Sequence, residues 1–160
     1  LRSVGDASFF RIDAIDRKIL AHLQADGRLT LTQLSERVRL SLSRCQRRVR
    51  ELERAGVIRG YHAQVDPAAV GFGFEVLVFA SLSHPDVPEF DAAVGDAPQI
   101  IEAQRLFGDP DYLLRVVAAD LAAYQRFYEE TLIRLPGVSR ISSTIVMKQV
   151  VPTRPLPEAP

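Results

Sequence analysis

The chain has 160 residues, 47% of them hydrophobic and 25% charged, with a single cysteine and no net charge. These figures fit one globular domain or two small ones and exclude an internal disulfide or a cysteine-built metal site, while no apolar run approaches the ~20 residues of a membrane helix. The zero balance conceals an asymmetry: residues 1–60 carry 13 Lys and Arg against 7 Asp and Glu, and residues 61–160 carry 7 against 13. A basic front suits a polyanion, and an acidic rear is repelled by one. Residues 1–11 show no periodicity and are expected to be loose. The stretch LRSVGDASFF lacks the pattern of a secretory signal, and the lone cysteine suits the reducing cytoplasm, which is the expected compartment.

From Ile12, Ile15, Ile19 and Leu23 recur at helical spacing, with Leu20 beside them, and Asp13 and Asp16 fall in the first turn, where carboxylates suit the helix dipole. Asp26-Gly27 marks a turn. Thr30 and Gln33 have the spacing of a capping box, opening a short helix that buries Leu31, Leu34 and Val38. It ends near Arg39-Leu40, and Ser41 is placed to cap the next helix at once. Two short helices with so brief a turn cross steeply, as in a helix-turn-helix.

The third helix, SLSRCQRRVRELERAG, has an apolar seam of Cys45, Val49 and Leu52, with Gly56 suited to the left-handed position past its end. Ser43, Arg44, Gln46, Arg47 and Arg50 lie off the seam and are the expected contacts to double-stranded DNA; Ser41, Arg48 and Arg59 are assigned to phosphates. The plain alternative is a solvated charged face. Cys45 reads as a small core residue. Residues 57–65 read as a short strand pair, or wing, completing a winged helix-turn-helix over 12–65. One copy neutralises few phosphates; a dimer making roughly eight phosphate contacts gives a salt slope near −7. That favours a symmetric dimer on half-sites about 34 Å apart, or a multiple of that.

Asp66-Pro67, Gly71 and Gly73 mark a hinge over 66–74. Beyond it the pattern predicts a strand over 75–83, a helix over 86–97 starting at Asp86, strands over 99–107 and 111–118, a helix over 121–135 and a strand over 138–151. This β-α-β-β-α-β order is ferredoxin-like, which makes the whole chain α+β. A proline-rich tail over 152–160 has little capacity to pack. The turn GDPDY, Gly108 to Tyr112, has two readings. It is a hairpin turn with self-capping Asp side chains. It is also a site where Asp109 and Asp111 meet an ammonium group, free N–H groups meet a carboxylate, and Gly108 permits close approach.

The phrases IDAIDRKIL, DGRLTLTQLSERV, RVRELERAGVIRGY, GDPDYLLRV and ETLIRLPGV, in this order over residues 12–150, resemble the Lrp/AsnC (feast/famine) family of transcription regulators. The resemblance implies an N-terminal winged helix-turn-helix and a C-terminal ferredoxin-like (RAM/ACT-like) effector and oligomerisation domain, here 75–151. It implies homodimers that assemble further, commonly to octamers, and an amino acid or related metabolite as effector, with no other cofactor. It favours the site reading of Gly108, Asp109, Asp111 and Tyr112 and adds Ser142 and Thr144 of the last strand. Arg39 departs from the family, which usually has Gly in that turn; the turn is either strained or differently shaped, and the extra cation is a further candidate for phosphate. Sirohaem decarboxylases share the architecture and use His and Arg; here His22, His62 and His84 share no motif, so no enzyme is expected. A DNA compactor without an effector is the remaining alternative.

Overall fold

The computed structural model describes residues 10–83 and 87–157, in two compact units. One unit runs to Ala63 and takes in the chain from Val151 onward; the other is Gln64–Val150. The expectations for residues 1–9, for Asp86 as a helix start, for His84 and for residues 158–160 lie outside the described residues.

In the first unit, helix α1 (Ala14–Ala25) opens on a capping box. Asp13 Oδ1 accepts the amides of Ile15 and Asp16, and Asp16 Oδ2 accepts the Asp13 amide. Helix α2 (Leu31–Val38) opens on the Thr30/Gln33 box, and α3 (Leu42–Arg54) follows within three residues. Their seams meet: Ile19, Leu34, Val38, Cys45, Val49 and Leu52 form one core, with Phe10, Val57 and Ile58 packed on it.

Between α2 and α3, Arg39 takes a left-handed backbone, φ 56° and ψ 46°, and the Leu40 amide bonds the Ser35 carbonyl at 2.9 Å. That closes the helix in the Schellman manner with a residue that bears a Cβ, so the turn keeps its shape and carries strain. Ser41 stands at the start of α3 but makes no capping bond; its Oγ lies 3.4 Å from Ser43 Oγ. After α3 the expected strand pair is absent. Gly56 turns at φ 71°, the Val57 and Ile58 amides both bond the Leu52 carbonyl, and residues 59–66 are exposed and form no strand. The tail does make a contact: the Leu156 amide donates to Gln24 Oε1.

In the second unit a 3-10 turn at Ala68–Val70 precedes strand β1 (Phe74–Leu82), helix α4 (Val87–Gly95), strands β2 (Ile100–Arg105) and β3 (Tyr112–Ala118), helix α5 (Leu121–Glu130) and strand β4 (Val138–Ile145). The sheet is antiparallel in the order β2-β3-β1-β4. Strand β4 and helix α5 fall furthest short of their sequence pattern. Strand β4 stops at Ile145 because its partner β1 runs out: Ile145 pairs Val76, and one bond from the Val146 amide to the Glu75 carbonyl ends the ladder. Helix α5 leaves helical backbone at Thr131, and a 3-10 turn at Leu132–Arg134 sends Leu132 into the core.

Alternation divides the sheet into two faces. Val76, Val78 and Ala80, with Tyr112, Leu114 and Val116 opposite them, are buried against Phe90 and Val94 of α4 and Tyr124 and Phe127 of α5. The other face carries Leu77, Phe79 and Leu113, which stand outside that core, around the ion pair of Arg115 and Glu75 at 2.7 Å. Arg140, Ser142 and Thr144 of β4 lie in register with Ser81, Phe79 and Leu77 on the same face.

Candidate functional site

Burying Cys45, Val49 and Leu52 commits one side of α3 to the core and leaves Ser43, Arg44, Arg47 and Arg50 exposed. The Arg47 side chain is 71% exposed, and its nearest acid, Glu51, is 3.9 Å away, a distance at which water competes freely. Arg59 is also exposed, on the irregular segment after α3. Cys45 is sealed, and burial pushes its thiol above its ordinary range, which leaves it unreactive.

Arg48 is placed differently from the sequence expectation. Its Nη1 donates to Asp13 Oδ2 and to Asp16 Oδ1, both at 2.8 Å, and only 24% of its side chain is exposed. It ties α3 to the N-terminus of α1, so its guanidinium is engaged within the unit. Its two hydrogen-bonded carboxylates hold the guanidinium proton more tightly than usual. Asp13 is held below its ordinary range, first by the Asp16 amide and then by Arg48. Gln46 is half-buried and turned toward a cavity of about 340 Å³, lined also by Leu31, Leu34, Arg50, Glu53 and Tyr61. Tyr61 donates to Glu53 Oε1 at 3.1 Å; burial and that carboxylate push its phenol up to about 12.

The GDPDY turn joins β2 to β3. Gly108 has φ 141° and nothing within 4 Å of the place a Cβ would take, so glycine serves the backbone angle here. Neither carboxylate of the turn is free. Asp109 accepts from Ser81 Oγ and from Arg140 Nη2, whose guanidinium holds its carboxyl below the usual range. Asp111 Oδ2 accepts the Leu82 amide at 2.8 Å, stitching the turn to the end of β1. Tyr112 points away: it is buried in the core, donates to Asp91 Oδ1, and burial beside that acid pushes it up to about 12. Ser142 and Thr144 are exposed on the open sheet face, with Arg140 two residues before Ser142.

Arg140 and Ser81 are therefore the residues that sequence reasoning missed. The signal was present: Arg140, Ser142 and Thr144 alternate along one strand, so a cation shares a face with the two predicted hydroxyls.

Residues 12–59 match the family model for winged helix-turn-helix DNA binding, and residues 75–156 match that for the Lrp/AsnC ligand-binding domain. The chain belongs to the Lrp/AsnC family. Its relatives include the leucine-responsive regulatory protein of Salmonella typhimurium, 44% identical over 142 residues, 87% of each chain. The Bkd operon transcriptional regulator of Pseudomonas aeruginosa is 42% identical over 143 residues, 88% of this chain and 94% of that protein. Among solved structures, a Neisseria meningitidis transcriptional regulator in complex with L-methionine superposes with a TM-score of 0.86 at 38% identity, covering 92% of this chain and 97% of that one. This Lrp/AsnC protein is thus a ligand-responsive, DNA-binding transcription regulator and not an enzyme. Among the described residues no helix is long and apolar enough to cross a membrane.

Proposed function

We propose that the regulator reads duplex DNA with Ser43, Arg44, Arg47 and Arg50 of α3, with Gln46 at the edge of that face and Ser41 and Arg59 at phosphates. The observation that carries this reading is the one-sided burial of α3, which leaves a cationic face against a sealed Cys45–Val49–Leu52 seam. An Arg paired to guanine in this geometry contributes about 1–3 kcal/mol of base discrimination. In this reading residues 12–65 are the DNA-binding domain, 66–74 the linker and 75–151 the effector and assembly domain, and the protein works in the cytoplasm at the nucleoid.

The effector is an amino acid, taken up at the hairpin tip. The methionine held by the Neisseria relative supports the ligand class. The turn supports the place: Asp109 and Arg140 lie side by side, both exposed, and a zwitterion offers each a partner of opposite sign. Asp111 and Tyr112 act there as scaffold, and Ser142 and Thr144 line the approach. Leu77, Phe79 and Leu113 on the open sheet face support pairing with a second copy, and family resemblance leads from such dimers to octamers. Selection of duplexes from a random pool, with and without an amino-acid mixture, tests recognition, half-site symmetry and coupling together. Calorimetric silence from all twenty amino acids retires the effector; failure to enrich any duplex retires the assignment of α3.

A further inference from the structure

We propose that Arg48, Asp13 and Asp16 form a positioning clamp that fixes the angle at which α3 presents its reading residues. The inference rests on the assignment of Ser43, Arg44 and Arg47 to DNA.

The clamp is built atom by atom. Each carboxylate uses one oxygen to close the start of α1: Asp13 Oδ1 takes the amides of Ile15 and Asp16, and Asp16 Oδ2 takes the amide of Asp13. That leaves one oxygen on each, Asp13 Oδ2 and Asp16 Oδ1, and a single nitrogen of Arg48 bonds both at 2.8 Å. Asp16 is buried, 4% exposed, so its bond to Arg48 is shielded from water and tolerates little displacement, while the Asp13 side of the clamp stays open to solvent. The acceptors are immobilised by a helix terminus, and the donor sits in the middle of the recognition helix. Arg44 lies one turn before Arg48 and Arg47 is its neighbour, so any roll of α3 at the clamp carries both with it. A roll of 20° moves side chains at the ~5–6 Å helix radius by about 2 Å, more than a base-edge hydrogen bond tolerates.

The clamp makes a prediction whose sign opposes simple electrostatics. Removing an acid from a domain that approaches a polyanion ordinarily strengthens binding. If Arg48 were a phosphate contact restrained by Asp16, freeing it would strengthen binding further. A positioning role requires the reverse for the specific site.

The test uses the full chain and two duplexes: the one that the wild type enriches from a random pool, and its scrambled counterpart. Asp16→Asn is nearly isosteric and keeps an oxygen for the Asp13 amide. It is expected to lose at least tenfold in affinity for the selected duplex while its affinity for the scrambled duplex holds or rises. Arg48→Gln added to it is expected to change little further, since both substitutions break one unit. Selected-duplex binding that is unchanged or tighter in Asp16→Asn overturns the clamp in favour of a phosphate contact. A lowered melting temperature with an unchanged ratio between the duplexes overturns it in favour of mere stabilisation. Should Asp16→Asn fail to fold by circular dichroism, Asp13→Asn carries the same comparison, because Asn caps a helix about as well as Asp. If the wild type enriches nothing, the assignment of α3 to DNA fails first, and the clamp falls with it.

Discussion

Arg140 and Asp109, 31 residues apart in sequence, join the hairpin tip to the last strand. Arg140 Nη2 lies 2.7 Å from one carboxylate oxygen of Asp109 and 2.9 Å from the other. Both side chains are largely exposed, so water and salt screen the pair, and the fold does not depend on it. Beside Ser81 and Ser142 it sets a carboxylate and a guanidinium side by side at one exposed spot, where the proposed effector would bind.

Asp109→Asn and Arg140→Gln are each expected to weaken amino-acid binding at least tenfold while leaving the melting temperature unchanged. Calorimetric titration beside a thermal melt checks both halves. Retained binding in both variants would move the effector away from this tip.

Tyr112→Phe separates scaffold from site. The phenol donates to Asp91 at 2.8 Å within the core, and losing that bond is expected to cost about 1–2 kcal/mol of stability, with effector affinity unchanged. Denaturant melts and titration of the same sample measure the two effects.

Arg39→Gly relieves a Cβ held at φ 56°. Left-handed backbone costs a side-chain-bearing residue about 1–2 kcal/mol, and glycine's greater freedom in the unfolded chain returns part of that. A net gain of about 0.5–1 kcal/mol is expected, read as a higher urea midpoint with an unchanged slope.

Stability of the first unit should fall in acid through Asp13. Its carboxyl is held below the ordinary 3.8 by the Asp16 amide and Arg48, so the folded state favours the charged form. That stabilisation is complete above the unfolded value and is lost as pH falls through the lowered folded one. The window lies below about pH 4. Asp13→Asn should flatten the dependence there, as followed by melts across an acid series.

Much of this fold is legible in the sequence because helices and strands declare themselves by which side they bury. The Cys45, Val49, Leu52 stripe and the β-α-β-β-α-β order need no information beyond spacing. What spacing cannot reveal is which polar groups find each other across the chain. Arg47 and Arg48 are adjacent and alike, yet one is open and the other is engaged by acids 32 and 35 residues earlier. Asp109 reads as available until Arg140 is placed beside it, and Tyr112 reads as part of a turn until its hydroxyl is found in the core. Strand β4 extends by pattern to residue 151, but a strand lasts only as long as its neighbour, and β1 begins at Phe74.

The shared orientation of Ser142, Thr144, Leu77 and Phe79 has a thermodynamic consequence. If the effector sits against those hydroxyls, as proposed, it meets the same sheet face that a second copy would cover. Occupancy and association are then linked by mass action, and each must bias the other by an equal free energy. Titrations at two protein concentrations would return two apparent dissociation constants, and their ratio would measure that bias without any DNA in the cell.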